Sequence, residues 1–282
     1  MRNMVGRPIL IKTPVTKVKL NHDMKPQEEK KSVQQFWDMT PCGTGDINIE
    51  PKTLKYFEAI SERRNKLEPF IADYAQFDRW AGKRVLEVGC GAGSDLLRFA
   101  KENASITGID LSPRSVSLAK TRLRTYNCQG NVLIADAEQL PFKTGSFDLV
   151  YSWGVLHHTP DTEQAIREVY RVTKPGSEIC IMLYHRYSLV TLQMYLMYGL
   201  CVFKPLRSLK DILAKHHESP GTKAYTTAEA QQMFSAFKYV KIKVCITPYD
   251  LRYKRNKYFP QWVGKLIPQC LGWFMVIRGQ KS

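Results

Sequence analysis

The chain has 282 residues, of which 42 are Lys or Arg and 26 are Asp or Glu. This length allows one large α/β domain with additions, or a domain of about 150 residues with appendages. The seven cysteines form neither a Cys-x-x-Cys pair nor the close set of an iron–sulfur cluster. We therefore expect free thiols in a cytoplasmic setting and no metal site.

The positive charge is concentrated at the two ends of the chain. Residues 1–31 carry 8 basic and 3 acidic residues, and residues 181–282 carry 16 and 4, whereas residues 32–180 are nearly neutral. This pattern suggests an anionic partner such as a membrane surface, nucleic acid or a phosphorylated substrate. A solvated basic surface without a partner is the alternative.

No targeting or membrane-spanning segment is predicted. The amino terminus lacks the apolar stretch of a signal peptide. Residues 187–203 are uncharged, but they are too short and too rich in polar and tyrosine side chains for a spanning helix.

The first 80 residues divide into two predicted regions. Residues 1–31 mix Lys, Pro and β-branched residues without a sustained period, which predicts a basic mobile arm. Helices are predicted within residues 32–80, where apolar residues recur at helical spacing.

A glycine-rich turn follows the first predicted strand. Gly89, Gly91 and Gly93 permit positive φ and the close approach of a ligand. Glu87 places a carboxylate in a strand that is otherwise suited to burial, so it needs a partner. Position 94 is Ser rather than the third glycine of a dinucleotide fingerprint, and the Gly-Lys-Ser/Thr of a phosphate-binding loop is absent.

Acidic or aromatic residues follow each of the next strands. Asp110 ends a strand predicted over 105–109, where a carboxylate can accept hydrogen bonds from both ribose hydroxyls or can cap the next helix. Asp136 follows a strand over 132–135. Strands over 147–152 and 178–183 lead into Trp153 and Tyr184. In an open α/β sheet, ligands bind at these carboxyl ends.

The motifs in this order resemble the class I S-adenosylmethionine-dependent methyltransferases of the small-molecule, ubiquinone-biosynthesis type. They are Glu-x-Gly-x-Gly-x-Gly, the strand-terminal Asp110, Asp136-Ala-Glu-x-Leu-Pro-Phe, and Phe-Asp-x-Val with Leu-His-His, and they span about residues 80–185. The resemblance implies a doubly wound, Rossmann-like α/β fold. Its seven-stranded sheet is mostly parallel with an antiparallel last strand, and an N-terminal helical lid and C-terminal helical insertions are added to it.

The predicted regions are an arm over 1–31, a lid over 32–80, a cofactor-binding core over 81–186, an apolar and basic helical insertion over 187–225, and the rest of the sheet over 226–282. The insertion would lie in a membrane interface, cover an apolar substrate pocket, or simply pack on the core.

The resemblance also implies S-adenosyl-L-methionine (SAM) as cofactor and assigns candidate residues to it. The candidate cofactor contacts are Glu87, Gly89, Cys90, Gly91, Gly93, Asp110, Leu111, Asp136, Ala137, Ser152 and Trp153. Tyr56, Arg64 and Tyr184 are candidate lid or substrate contacts. His157 is the first candidate general base and His185 the second, because imidazole titrates near neutral pH; a structural or substrate-positioning role is the alternative for both.

The implied reaction is an in-line methyl transfer to a small-molecule acceptor, lipid-like or glycan, most consistent with O-methylation. The basic ends leave a nucleic-acid methyltransferase as an alternative. Against it, Ser152-Trp-Gly-Val stands where amino-methylating enzymes of that kind carry Asn/Asp-Pro-Pro-aromatic. A SAM-binding scaffold without catalysis is a lesser alternative.

Overall fold

The computed structural model describes residues 25–45, 47–254 and 257–282. Most of the predicted arm lies outside these residues. Its last part differs from the prediction, because helix α1 spans Pro26–Met39 and begins before residue 32. Pro26 at the first helical position and acidic residues in the first turn, Glu28 and Glu29, favour this start.

Seven strands form one sheet in the order β3-β2-β1-β4-β5-β9-β6. Their bounds are Arg84–Val88 (β1), Ser105–Asp110 (β2), Asn131–Ile134 (β3), Phe147–Trp153 (β4), Thr173–Tyr184 (β5), Lys238–Cys245 (β6) and Phe274–Gln280 (β9). β9 pairs antiparallel with both β5 and β6, whereas β1 to β5 are parallel. The predicted fold class is therefore confirmed. Two short strands, β7 (Arg252–Lys254) and β8 (Lys257–Tyr258), form a separate hairpin.

Nine further helices accompany the sheet in the described residues. They are α2 (Leu54–Leu67), α3 (Ile71–Ala75), α4 (Ser94–Lys101), α5 (Pro113–Thr125), α6 (Thr162–Val172), α7 (Leu189–Tyr195), α8 (Leu209–His216), α9 (Thr227–Met233) and α10 (Gln261–Lys265). Local sequence explains several starts: the Ser112 hydroxyl caps α5, and Thr226 with Glu229 forms a capping box at the start of α9.

Both faces of the sheet are covered by apolar side chains from these helices. α4 and α5 bury Leu96, Phe99 and Leu123 on one face, while α6 buries Ile166 and Val169 on the other. The strands alternate accordingly, so that Val85 faces the first cluster and Leu86 the second. This packing brings the carboxyl ends of β1 to β5 together at one edge.

Two elements differ from their predicted extent. β5 begins at Thr173, so the Lys174-Pro-Gly176 turn lies at its start, beside an irregularity in its pairing with β4. The helical insertion predicted over residues 187–225 divides into α7, a π-helical turn at Leu196–Leu200, and α8, which begins at Leu209. Within the described ranges, every helix is too short or too polar to cross a membrane.

Candidate functional site

A cavity of about 570 Å³ lies at the carboxyl edge of the sheet. Its walls come from the loops after β1, β2, β3 and β4, from the end of β5, and from helices α1 and α2. Residues 217–218, 249, 252 and 258 complete it. The cavity therefore joins the predicted core to the predicted lid.

The glycines after β1 have different functions. Gly89 has φ +77°, and a Cβ built there would lie 2.2 Å from a methyl carbon of Val155, so only glycine fits. Gly91 has φ +51°, faces the cavity, and its nearest neighbour would be Cys42 Cβ at 3.9 Å. Cys90 also lines the cavity. Gly93, which directly precedes α4, lies outside the cavity and packs against Ala119 of α5.

Glu87 is a buried acid on the cavity wall. Its Oε2 atom has no hydrogen-bond partner among the described residues. Burial, reinforced by the neighbouring Asp95 carboxylate, raises the pKa of Glu87 well above its ordinary value. A buried carboxyl that lacks a partner fits a site for a ligand with polar hydrogens, such as an ammonium group.

Asp110 and Asp136 lie on the same wall, at the ends of β2 and β3. Asp110 accepts hydrogen bonds from the backbone amides of Gly91 (2.8 Å) and Ser112 (2.9 Å). Burial raises its pKa against the effect of these bonds. Leu111 and Ala137 line the cavity beside the two acids. Because each carboxylate oxygen has two acceptor positions, Asp110 keeps capacity for hydroxyl donors.

Helix α1 covers the part of the cavity between these two acids. Lys30 Nζ lies 2.5 Å from Asp136 Oδ2 and 2.6 Å from Glu138 Oε2. Gln34 donates to the carbonyl of Leu111 at 2.9 Å. Helix α1 therefore lies against Asp136 and Leu111, two of the predicted cofactor contacts.

Helix α2 contributes Arg64 but not Tyr56. The guanidinium of Arg64 lies 2.5 Å from Asp95 Oδ2 and 3.6 Å from Glu68 Oε2, and it lines the cavity. Burial opposes the ionisation of Asp95, yet Arg64 and a hydrogen bond from Tyr151 hold its pKa below the ordinary value. The side chain of Tyr56 is instead packed beside Phe57, outside the cavity.

The remaining end of the cavity is aromatic. Trp153 and Tyr249 line it and both donate to the carboxylate of Glu68, at 2.8 and 2.9 Å. Trp273 stacks on Tyr184 with ring centroids 4.1 Å apart. The predicted contact Ser152 is not in this wall, because its hydroxyl donates to the carbonyl of Val88 within the sheet.

Both predicted candidate bases lie outside the cavity. His157 is fully buried, stacks on Tyr184, and neither ring nitrogen has a hydrogen-bond partner in the described residues. Burial and neighbouring histidines hold its pKa well below the ordinary value, so it stays neutral. His185 is also buried, and its Nδ1 lies 3.2 Å from the carbonyl of Gly272.

His158 is the histidine of the Leu-His-His motif that reaches the cavity. The motif forms one 3-10 turn, Leu156–His158, and consecutive side chains on such a turn point in different directions. Nε2 of His158 lies 3.4 Å from Glu218 Oε2, and Tyr184 donates to the same oxygen at 2.8 Å.

Three further residues of the cavity wall, Glu218, Glu68 and Tyr249, were not predicted from the sequence. Glu218 is ionised: burial would raise its pKa, but His217, His158 and Tyr184 together hold it at about 2. In the sequence, the two preceding histidines, His216 and His217, indicate that residue 218 belongs to a cluster of titratable side chains. This was the one sequence feature that pointed to Glu218 as a site residue.

A family model described as a methyltransferase domain matches residues 86–181. This match covers β1 to β5 and the loops that carry Glu87, Asp110 and Asp136. The chain contains a methyltransferase domain. The resemblance to methyltransferases that the sequence motifs indicated is confirmed at this level.

Relatives and solved structures agree with the assignment. A ubiquinone biosynthesis O-methyltransferase of Xanthomonas oryzae is 37% identical over 152 residues, which are 49% of this chain and 63% of that protein. A SAM-dependent methyltransferase of Methanosarcina mazei is 25% identical with a TM-score of 0.53, over 76% of this chain and 98% of that one.

The structure of the [4+2]-cyclase SpnF is also similar, with a TM-score of 0.56 over 90% of this chain and 96% of that one. At 18% identity this likeness shows the fold alone. For the curated relatives that we compared, the aligned region spans 36% to 63% of the relative's length. The methyltransferase domain is thus established, and the activity of the whole chain belongs to the proposal below.

Proposed function

We propose that this protein is a SAM-dependent enzyme that methylates a hydroxyl oxygen of a small, largely apolar acceptor. The observation that carries the proposal is the arrangement of Glu87, Asp110 and Asp136 at three neighbouring strands around one cavity, which His158 and Glu218 also line. Acids alone would suit many ligands. Combined with a methyltransferase domain, they suit a cofactor with an ammonium group, a ribose and an adenine.

The residues present fit SAM. The unpartnered Oε2 of Glu87 would accept a hydrogen bond from the ammonium group of SAM. The absence of a side chain at Gly91 leaves room for the aminoacyl part of SAM. Asp110 would bind the ribose hydroxyls, and Asp136 the adenine amino group. When bound, SAM would supply an electrophilic methyl group on a sulfonium.

The acceptor end supplies a candidate proton acceptor, His158. Its Nδ1 lies 2.9 Å from Ser219 Oγ and 3.0 Å from Thr222 Oγ1, and Thr222 Oγ1 donates to the carbonyl of Ser219 at 2.7 Å. The proposal uses the tautomer that carries its hydrogen on Nδ1, which leaves the lone pair on Nε2. In this proposal Nε2 takes the proton of the acceptor hydroxyl, and ionised Glu218 stabilises the resulting imidazolium.

Aromatic walls favour an apolar acceptor. Trp153, Tyr184, Tyr249 and Trp273 surround the acceptor end, and such rings bind flat or lipid-like groups through apolar contact. Helices α1 and α2 would exclude water from the reacting atoms. We include in the proposal a cytoplasmic setting with peripheral contact to an anionic membrane.

The alternatives receive less support. The Xanthomonas relative is by its name an O-methyltransferase of ubiquinone biosynthesis, which does not favour a nucleic-acid acceptor. The resemblance to a cyclase keeps catalysis of another kind, or none, as an outcome of the test.

The test uses methyl-labelled SAM with lipid and phenolic extracts. We expect transfer of label by the wild type and by His185→Asn, and loss of transfer in His158→Asn. His185→Asn is the matched control, because it changes a buried histidine outside the cavity. Binding of SAM without transfer to any extract would contradict an enzymatic function.

A further inference from the structure

Six large apolar side chains are exposed along one short segment that runs from Leu192 in α7 to Leu206, just before α8. Phe203 and Leu206 are almost completely exposed, at 94% and 98%. The others, which are about half exposed, are Leu192, Leu196, Leu200 and Val202. Single exposed apolar residues are ordinary, but a cluster of this kind marks a contact surface. We call these six residues the apolar tip.

The apolar tip is held in place by hydrogen bonds. Tyr195 donates its hydroxyl hydrogen to the carbonyl of Pro205 at 2.7 Å, and the amide of Lys204 donates to the carbonyl of Gly199 at 2.8 Å. The π-helical turn Leu196–Leu200 is itself a feature that is frequent at functional sites. The segment is therefore a defined structure that presents its apolar side chains outward.

Phe203 has an unfavourable backbone conformation. Its φ is +56°, in the left-handed region that bulky side chains rarely adopt, and its ring is 94% exposed. Tyr239 on β6 has the same combination, with φ +53° and a ring that is 77% exposed. What distinguishes Phe203 is the group of exposed apolar side chains around it in the sequence, and Tyr239 therefore serves as a matched control.

The charge around the apolar tip identifies the partner. Residues 187–210 contain three basic residues, Lys204, Arg207 and Lys210, and no acidic residue. The next acid, Asp211, is bound by Arg207 at 2.8 Å and by Lys215 at 2.5 Å. An apolar surface bordered by positive charge matches an anionic lipid bilayer, in which the side chains enter the acyl boundary and the cations meet the headgroups.

We propose that the apolar tip, with Lys204 and Lys210, docks this protein on anionic lipid bilayers. The same helix connects this surface to the cavity, because Val190 of α7 lines the cavity while Leu192 faces outward. A membrane-dissolved acceptor would thus be bound next to the acceptor end. This last step rests on the proposed function, whereas the docking itself does not require catalysis.

The experiment is flotation of the full chain with phosphatidylcholine vesicles, with and without phosphatidylglycerol. We expect the wild type to float with the anionic vesicles at low salt and to be released at high salt. The double variant Phe203→Asn/Leu206→Ser should bind at least about tenfold more weakly, because two exposed apolar side chains are lost. Asn tolerates the left-handed backbone at 203, so the fold is retained.

The control is Tyr239→Ser, which removes a ring that is 77% exposed on edge strand β6, also among lysines. It should float like the wild type. Calorimetric titration of every variant with SAM reports whether the cofactor site is intact, and it separates this proposal from the proposed function. Flotation of the double variant at the wild-type level, or no flotation of the wild type at low salt, would overturn the proposal.

Discussion

His158 Nε2 and Glu218 Oε2 face each other across 3.4 Å at the acceptor end of the cavity. Nδ1 of His158 lies within hydrogen-bond distance of Ser219 Oγ (2.9 Å) and Thr222 Oγ1 (3.0 Å), so Nε2 is the nitrogen that faces Glu218. A hydrogen on Nε2 would lie between the imidazole and the carboxylate and link them. In the proposed mechanism the acceptor hydroxyl supplies this hydrogen.

Replacement of Glu218 by glutamine should slow methyl transfer. The amide keeps the size of the side chain but cannot stabilise the imidazolium of His158, so we expect kcat to fall about a hundredfold. Affinity for SAM should change little, because the proposed cofactor contacts are Glu87, Asp110 and Asp136 and do not include Glu218. Steady-state kinetics with an acceptor from the labelling experiment measures this effect. Glu163→Gln, at an exposed position of α6, is the control, and an equal rate in Glu218→Gln and Glu163→Gln would refute the role.

Glu218 should also make stability depend on acid pH. Its pKa of about 2 lies below the ordinary 4.5, so the folded state binds fewer protons than the unfolded state between these values. The stabilisation is present above pH 4.5 and is lost as the pH falls toward 2. Urea unfolding of the wild type and Glu218→Gln should show a free-energy difference that is constant near neutral pH and shrinks through this window. A difference independent of pH would contradict the assignment.

Arg64, a residue of the predicted lid, should be required for the stability of the folded protein. Replacement by methionine leaves the buried Asp95 without its closest cation and removes a charge near Glu68. We expect the free energy of unfolding to fall by about 3–5 kcal/mol, and by less in an Asp95→Asn background. Arg124→Met, on the exposed side of α5, should change it by no more than about 0.5 kcal/mol. Additive effects of the changes at positions 64 and 95 would argue against their coupling.

The two cavity-lining glycines of the turn should respond differently to alanine. Gly89→Ala should prevent folding, because the added carbon would overlap Val155. Gly91→Ala should fold with a loss of about 1 kcal/mol for its left-handed backbone, and should bind SAM at least about tenfold more weakly. Circular dichroism with calorimetry distinguishes the two outcomes. Normal SAM affinity in a folded Gly91→Ala protein would show that no ligand approaches there.

Residues at strand ends were predictable from sequence because the signal is local. Glu87, Asp110 and Asp136 each follow or end a recognisable strand, and parallel strands bring their carboxyl ends to one edge. The seven-stranded, mostly parallel sheet with an antiparallel last strand followed from the same motifs, by family resemblance.

The acceptor end was not predictable in the same way. Whether His157 or His158 reaches the cavity depends on how one 3-10 turn packs against Tyr184, which no local pattern encodes. Glu218 is far from His158 in sequence and lies in a segment without regular periodicity. The start of α1 at Pro26, by contrast, carried a readable signal, since proline and two glutamates occupy its first turn.

The most direct test of the account is calorimetric titration of the wild type and Asp110→Ala with SAM, with its demethylated product, and with NAD. We expect SAM and its product to bind the wild type in the micromolar range, and Asp110→Ala to bind at least about tenfold more weakly because the ribose loses its carboxylate. NAD should give no binding. Absence of SAM binding to the folded wild type, or a preference for NAD, would contradict the assignment of this cavity as a SAM site.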